Sequence, residues 1–587
     1  MKRNRASLML SGVVSAAALG ACSGDASGLF EAKGESGSTE SALSDVVSST
    51  SNSTASSTVN GDTPFTTPLP IPPVLTPTSR DASTDYYDVT IRAGLAQLRP
   101  GAATPIVGFD GVAPGPTIVA TRGRTVQVTQ NNDWTEEVTV HNHGHKVAAE
   151  SDGHPMDYIE PGSSRVYTYP NDQSAGTFWY HDHAMHVTGN HVYQGLAGFY
   201  LIRDPAEDAL DLPSGNYDIP LLIQDKTFND DNTLSYEHDH FVGFLGDTAV
   251  VNGAVSPYLD VATRKFRFRV LNGSNARPLG LELRVAGSST AEPFQVIASD
   301  SGLLPAPVQL TVLPIAPAER YDIVVDFSKY PVGTKLELVS TNPISAFANA
   351  YAGGVGTLGY GGPSGYGGPS GYGGPSGYGG PSGYGGPPGY GGPPGYGAPT
   401  NASAGWYGGA DGADLDWTEG TGWVGSAQIP ELTNLLQFVV ARSETDPSSV
   451  PTELVDLERL QAADAVSTKD IVFRFNGEDW TMNGLTYDPD RSDVFSRLDQ
   501  VYIWSVTNES PIPHPFHKHL SAFNVLDING QVPPAFANGW KDTVMVPPFS
   551  TVRILFKDET FTGTYVFHCH NLEHEDHAMM LQEEVTH

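Results

Sequence analysis

The chain has 587 residues, too many for one hydrophobic core and enough for two to four domains. It carries 66 acidic against 32 basic side chains, a formal net charge of −34, which excludes nucleic acid and anionic membrane surfaces as natural partners. Only two cysteines occur, Cys22 and Cys569, at opposite ends of the chain, so a disulfide framework is excluded and each thiol calls for its own explanation.

Lys2, Arg3 and Arg5 precede an apolar run from Leu8 to Leu19, the charged and hydrophobic regions of an export signal too short to span a bilayer. The run ends in Leu19-Gly20-Ala21-Cys22, which resembles the lipobox of bacterial lipoproteins. The resemblance implies a lipoprotein-type signal peptide over residues 1–22, with Cys22 lipidated. The protein is then exported to the periplasm or outer cell surface, touching the membrane only through that anchor. Residues 23–64 are mostly Ser, Thr, Gly, Asn and Asp; they bury too little apolar surface to offset chain entropy and are expected to form a tether.

Beyond residue 65 no long segment has helical periodicity. Short runs alternate every second residue or are rich in β-branched and aromatic residues, as in Thr125-Val-Gln-Val-Thr129, Lys265-Phe-Arg-Phe-Arg-Val270 and Thr551-Val-Arg-Ile-Leu-Phe556. Turn residues punctuate them, the pattern of an all-β chain built of sandwiches. Three blocks are expected, over 65–203, 204–345 and 429–587. Between the last two lies an insertion, 346–428, in which Gly-Tyr-Gly-Gly-Pro repeats place tyrosines at 360, 366, 372, 378, 384, 390 and 396. Gly and Pro at this density build no core, so the insertion reads as an exposed loop.

Chemistry gathers in four histidine clusters: His141-Asn-His143, His181-Asp-His183, His514-Pro-Phe-His517-Lys-His519 and His568-Cys569-His570, the last followed by His574 and Met579. Residues two apart in a strand share a face, so each His-x-His aims two imidazoles at one place. Four such pairs suit a cluster of three copper ions. Cys569 must then face the other way, where it can meet His514 and His574 in the His₂Cys set of a blue-copper site, with Met579 as weak axial ligand. One tripeptide thereby joins two metal centres. A further pair, His238-Asp-His240, has no such company and reads as a chance occurrence.

The four motifs resemble, in order, the copper signatures of multicopper oxidases, and the resemblance runs from about residue 65 to the C-terminus, outside the repeats. Asp152-Gly-His-Pro155, Ala316-Pro-Ala-Glu-Arg-Tyr-Asp322 and Trp540-Lys-Asp-Thr543 support it. It is nearest to the bacterial three-domain branch and implies three cupredoxin-like sandwiches holding four copper ions. By that resemblance His514, Cys569, His574 and Met579 bind the type 1 ion. His141 and His517 bind type 2, and His143, His181, His183, His519, His568 and His570 bind the type 3 pair. Asp152 and Glu575 stand beside these ligands as candidates to steer them and to relay protons. All twelve ligand positions are filled, which argues against an inactive relative.

The implied reaction takes single electrons from a reducing substrate and reduces dioxygen to water, in a chain expected to be a monomer. Two substrate classes compete: phenols and aromatic amines, or the ions Cu(I), Fe(II) and Mn(II). Cuprous oxidases of this branch carry a methionine-rich insert near the place of the Gly-Tyr repeat; the repeat holds no methionine, which favours the phenolic class. A reading of another class is a surface copper-binding protein whose oxidase activity is incidental.

Overall fold

In the strand Thr125–Asn132 every second residue is buried, so Val126 and Val128 face the core while their neighbours face solvent. The same alternation builds three sandwiches in the computed structural model, which describes residues 62–351 and 432–587. Cys22 with the signal sequence, nearly all of the tether and the Gly-Tyr repeats lie outside the described residues.

The first sandwich pairs a sheet containing Thr84–Ala96, Thr125–Asn132 and Ser164–Tyr169 with a second sheet of Gly115–Thr121, Val140–His143, Gly176–Asp182 and Ala197–Arg203. Val89, Val128 and Tyr167 from one sheet meet Ile118, Phe178 and Tyr200 from the other in a single core. Both sheets are mixed: Thr84–Ala96 runs parallel to Thr125–Asn132, and Gly115–Thr121 parallel to Ala197–Arg203. This is the cupredoxin-like sandwich. In the third sandwich, Ala465–Phe475 runs parallel to Val501–Asn508, and Val494–Arg497 parallel to Met580–Thr586.

The middle sandwich departs from the sequence reading at its end. The strand Leu436–Arg442, placed there in the third block, pairs with Tyr258–Ala262 and Lys335–Thr341 and gives Leu436, Phe438 and Val440 to the middle core. Leu454 also packs with middle-block residues, against Leu212, Ile297 and Val324. The insertion thus interrupts the middle sandwich rather than separating two blocks. Strand alternation identifies a strand but not the sheet that receives it. The insertion's first residues, assigned from 346, belong to a helix Pro343–Tyr351 whose Phe347 and Tyr351 are buried in the third-block core.

Candidate metal centre

Strand register assembles the histidines. His141 lies opposite His181 in the ladder between Val140–His143 and Gly176–Asp182, and His517 opposite His568 in that between His514–Lys518 and Gly563–Cys569. The first and third sandwiches then meet ring on ring: His141 stacks on His519 at 3.8 Å between centroids, and His143 on His517 at 3.7 Å. His183 Nε2 and His568 Nε2 approach to 3.2 Å, and His519 Nε2 and His568 Nε2 to 3.3 Å. Eight imidazoles occupy one buried space, each no more than 1% exposed.

Cys569 turns to the opposite face, as alternation requires. Its Sγ lies 3.4 Å from His514 Nδ1 and 3.6 Å from His574 Nδ1. Met579 is buried in the same apolar cluster, and its carbonyl accepts the Cys569 N–H at 3.1 Å. Ser510 Oγ lies 3.1 Å from His514 Nε2, and the Phe241 carbonyl accepts from His574 Nε2 at 3.1 Å. The second nitrogen of each ring is thus engaged, which leaves Nδ1 toward the sulfur. Burial pushes the thiol pKa up and holds His514 down at about 3.

Three rings of the buried cluster are fixed in the same manner. Backbone carbonyls of Asp152, Asp182 and Asp542 accept from Nδ1 of His141, His181 and His517 at 2.6, 2.7 and 2.8 Å. Their Nε2 atoms, like Nδ1 of His143 and both nitrogens of His570, are buried with no hydrogen-bond partner. Burial, reinforced by the neighbouring rings, holds His141, His517, His519 and His570 well below the ordinary imidazole pKa, with His181 at about 3 and His183 at about 4. Neutral rings whose unpartnered nitrogens gather in one buried space fit a metal cluster, since each unpaired buried polar group costs about 1–3 kcal/mol. An all-imidazole cluster beside a thiolate site matches the ligand preferences of copper.

Asp152 and Glu575 stand where the sequence suggests, against the cluster. Asp152 Oδ2 lies 2.8 Å from His519 Nδ1; Glu575 Oε2 lies 3.0 Å from His568 Nδ1 and Oε1 3.4 Å from His183 Nδ1. Their environments divide them. Burial raises the Asp152 carboxyl to about 8. For Glu575 burial also raises, but the His568 and His183 rings outweigh it and bring the group to about 2. Gly153 (φ +79°) makes the first placement possible, because a Cβ there would sit 2.3 Å from the Val140 carbonyl oxygen.

The segments 316–322 and 540–543 carry none of the expected copper ligands. The structure brings them together behind the cluster: Arg320 donates to both carboxylate oxygens of Asp542 at 2.7 and 2.5 Å, and Asp542 Oδ1 lies 3.0 Å from His143 Nε2. Asp300 accepts from the backbone of Arg320, Asp542 and Thr543 and pairs with Lys541 at 2.9 Å. The pair His238-Asp-His240 is placed over the Cys569 site, on the turn that supplies the Phe241 carbonyl.

Two family models, each described as "Multicopper oxidase", match residues 90–207 and 461–587. A bilirubin oxidase of Albifimbria verrucaria is 34% identical over 84% of this chain and 75% of its own length. The chain belongs to the multicopper oxidase family. A laccase of Bacillus subtilis (strain 168) is 30% identical over 87% of this chain and 96% of its own. The crystal structure of a laccase from Pediococcus acidilactici superposes with a TM-score of 0.70 at 29% identity, covering 89% of this chain and 95% of that one. As a multicopper oxidase the protein binds copper and uses dioxygen to oxidise a reducing substrate. The matched segments span both ends of the histidine assembly, which explains why neither sandwich can build the centre alone.

Proposed function

We propose that this oxidase holds four copper ions and acts as a laccase-like enzyme on phenols and aromatic amines. His514, Cys569, His574 and Met579 hold the type 1 ion; His141 and His517 hold type 2; His143, His181, His183, His519, His568 and His570 hold the type 3 pair. The observation that carries this is the strand ending at Cys569, whose thiol meets two imidazoles on one face while His568 and His570 join the cluster on the other. Copper, when bound, supplies one-electron acceptance at the Cys569 site and the multi-electron reduction of dioxygen at the cluster.

The chain's own groups do the rest. The peptide links from Cys569 to His568 and His570 give a short covalent path between the two centres. Ser510 and Phe241 fix the two imidazoles that flank the thiol. Glu575 and Asp152 stand against His568 and His519 and are the carboxyls we assign to passing protons inward, the first held low by the neighbouring rings and the second raised by burial. The relatives named bilirubin oxidase and laccase, and the methionine-free repeat, favour an organic donor.

The domains are assigned as 65–203 and about 465–587, with the middle sandwich drawn from residues either side of the insertion. Export, a lipid anchor at Cys22 and a monomeric state complete the reading; among the described residues no helix is long and apolar enough to cross a membrane. The deciding experiment is oxygen consumption by the copper-loaded protein with a phenol, an aromatic amine, Cu(I), Fe(II) and Mn(II) compared side by side. Turnover of the organic donors with the highest kcat/KM supports the reading; turnover of metal ions alone overturns it.

A further inference from the structure

The helix Pro343–Tyr351 leads the chain into residues 352–431, and its position is fixed. Phe347 and Tyr351 are buried in the third-block core, while Pro343 lines a pocket beside the Cys569 site. Val242, Arg277, Ile512, Pro513 and Asn571 line the same pocket. Pro513 is bonded to His514, and Asn571 stands two residues after Cys569. Asn571 Nδ2 donates to the Val242 carbonyl at 2.9 Å, and the neighbouring Phe241 carbonyl accepts from His574 Nε2. Segments carrying His514, Cys569 and His574 thus converge on this pocket. Its empty space, counting the part open to solvent, is about 420 Å³, in the range of small-molecule sites. The wall is mostly apolar, and Arg277 is engaged by Asp225, Nε to Oδ2 at 2.8 Å.

The chain leaving this helix carries phenols at a fixed interval. From Gly359 to Gly397 every residue is Gly, Pro, Ser or Tyr, and the tyrosines recur at every sixth position from 360 to 396. Tyrosine is the oxidisable side chain of that stretch, and it belongs to the donor class proposed above. Chain length brings it within range. The helix measures about 12 Å from end to end, whereas the chain from Tyr351 to Tyr360 can span about 30 Å. Tyr360 can therefore reach back past Pro343 to the pocket, and the later tyrosines have more chain to do so.

We propose that the tyrosines of this repeat are the enzyme's own phenolic donors, entering the pocket lined by Pro343, Ile512 and Pro513 to be oxidised and coupled into dityrosine. The proposal rests on the laccase-like reading and names the phenol. Each tyrosine gives one electron to the Cys569 site and its O–H proton to solvent. Two of the resulting phenoxyl radicals form a carbon–carbon bond between ring positions next to their oxygens. The hydrogens displaced at those positions shift to the oxygens and restore two phenols. Two such links release four electrons and four protons, which reduce one dioxygen, the oxidant of the family's reaction, to two waters. Links between copies join them covalently.

The test uses the copper-loaded full chain in air with no added donor. The wild type should consume oxygen and accumulate dityrosine, read by fluorescence after acid hydrolysis and placed within residues 359–397 by peptide mass spectrometry. Tyr360→Phe, Tyr366→Phe, Tyr372→Phe, Tyr378→Phe, Tyr384→Phe, Tyr390→Phe and Tyr396→Phe together should abolish both, yet the variant should still turn over an added small phenol. Oxygen uptake per molecule should hold on about tenfold dilution, because a tethered donor sets its own local concentration. Uptake that falls with dilution means that chains oxidise one another, and overturns the docking of each repeat on its own pocket. Docking is also read without turnover. With a photoreactive benzophenone side chain in place of Tyr360, illumination in the absence of oxygen should cross-link that position to Val242, Pro343 or Ile512; cross-links only elsewhere overturn the pocket. A wild type that oxidises the added phenol but forms no dityrosine overturns the proposal. One that oxidises no phenol overturns instead the laccase-like reading beneath it.

Discussion

Arg320, from the middle sandwich, makes two parallel hydrogen bonds to Asp542, from the third, at 2.7 and 2.5 Å in a fully buried space. Asp542 in turn orients two rings. Its carboxylate reaches His143 of the first sandwich, and its carbonyl accepts from His517 of the third. One ion pair thus couples all three sandwiches to the histidine cluster.

Removing one partner leaves a buried charge unpaired. Arg320→Met or Asp542→Ala should destabilise the protein by about 3–5 kcal/mol in denaturant titration and weaken copper retention at the cluster by about 10–100-fold. Gly144, at φ +85°, passes so close that an added Cβ would lie 2.4 Å from Asp542 Oδ2. Gly144→Ala should therefore show the same loss of copper in a milder form. Wild-type copper content in all three variants would show that the pair does not position the cluster.

Glu575→Leu removes the carboxylate that faces His568 and His183 while leaving the Cys569 site untouched. The blue colour should survive and reoxidation by dioxygen should slow, as read by stopped-flow absorbance after stoichiometric reduction. Normal oxygen uptake in this variant removes Glu575 from any proton-handling role.

Met579 is buried beside Cys569 and offers a weak thioether. Met579→Leu should keep the blue absorption and raise the potential of that centre in a redox titration, because the axial ligand tunes it. An unchanged potential would mean that Met579 only fills space.

The copper-free protein should lose stability in mild acid. His514 and His181 fold with pKa values of about 3, and His183 of about 4, against an ordinary 6.5. Between those values and 6.5 the unfolded chain binds more protons than the folded one, so stability rises with pH across this window. Each such ring contributes up to about 1.4 kcal/mol per pH unit. Thermal melts of the apoprotein from pH 7 to 5 should show a falling Tm; a flat profile would mean the rings are not held neutral.

That the paired histidines would gather in one place was legible in the sequence, because a two-residue strand period converts His-x-His spacing directly into a shared face. The oppositely facing Cys569 followed from the same geometry. What the sequence could not reveal was partnership across long separations. Nothing in Leu436–Arg442 says that it joins a strand nearly two hundred positions earlier, at Tyr258–Ala262. Nor does the spacing of Arg320 and Asp542 announce an ion pair. His238 and His240 meet the ring of His577 only in the fold, and their spacing announces no such neighbour.

In the proposed function one strand serves two copper centres through opposite faces. Cys569→Ser tests it most directly, by copper content, visible absorption and oxygen consumption measured on the same sample. The variant should lose the Cys569 copper ion, all blue absorption and turnover with organic donors, while the cluster's copper remains. A variant that keeps its blue colour, or that sheds the cluster copper together with the Cys569 ion, would contradict it.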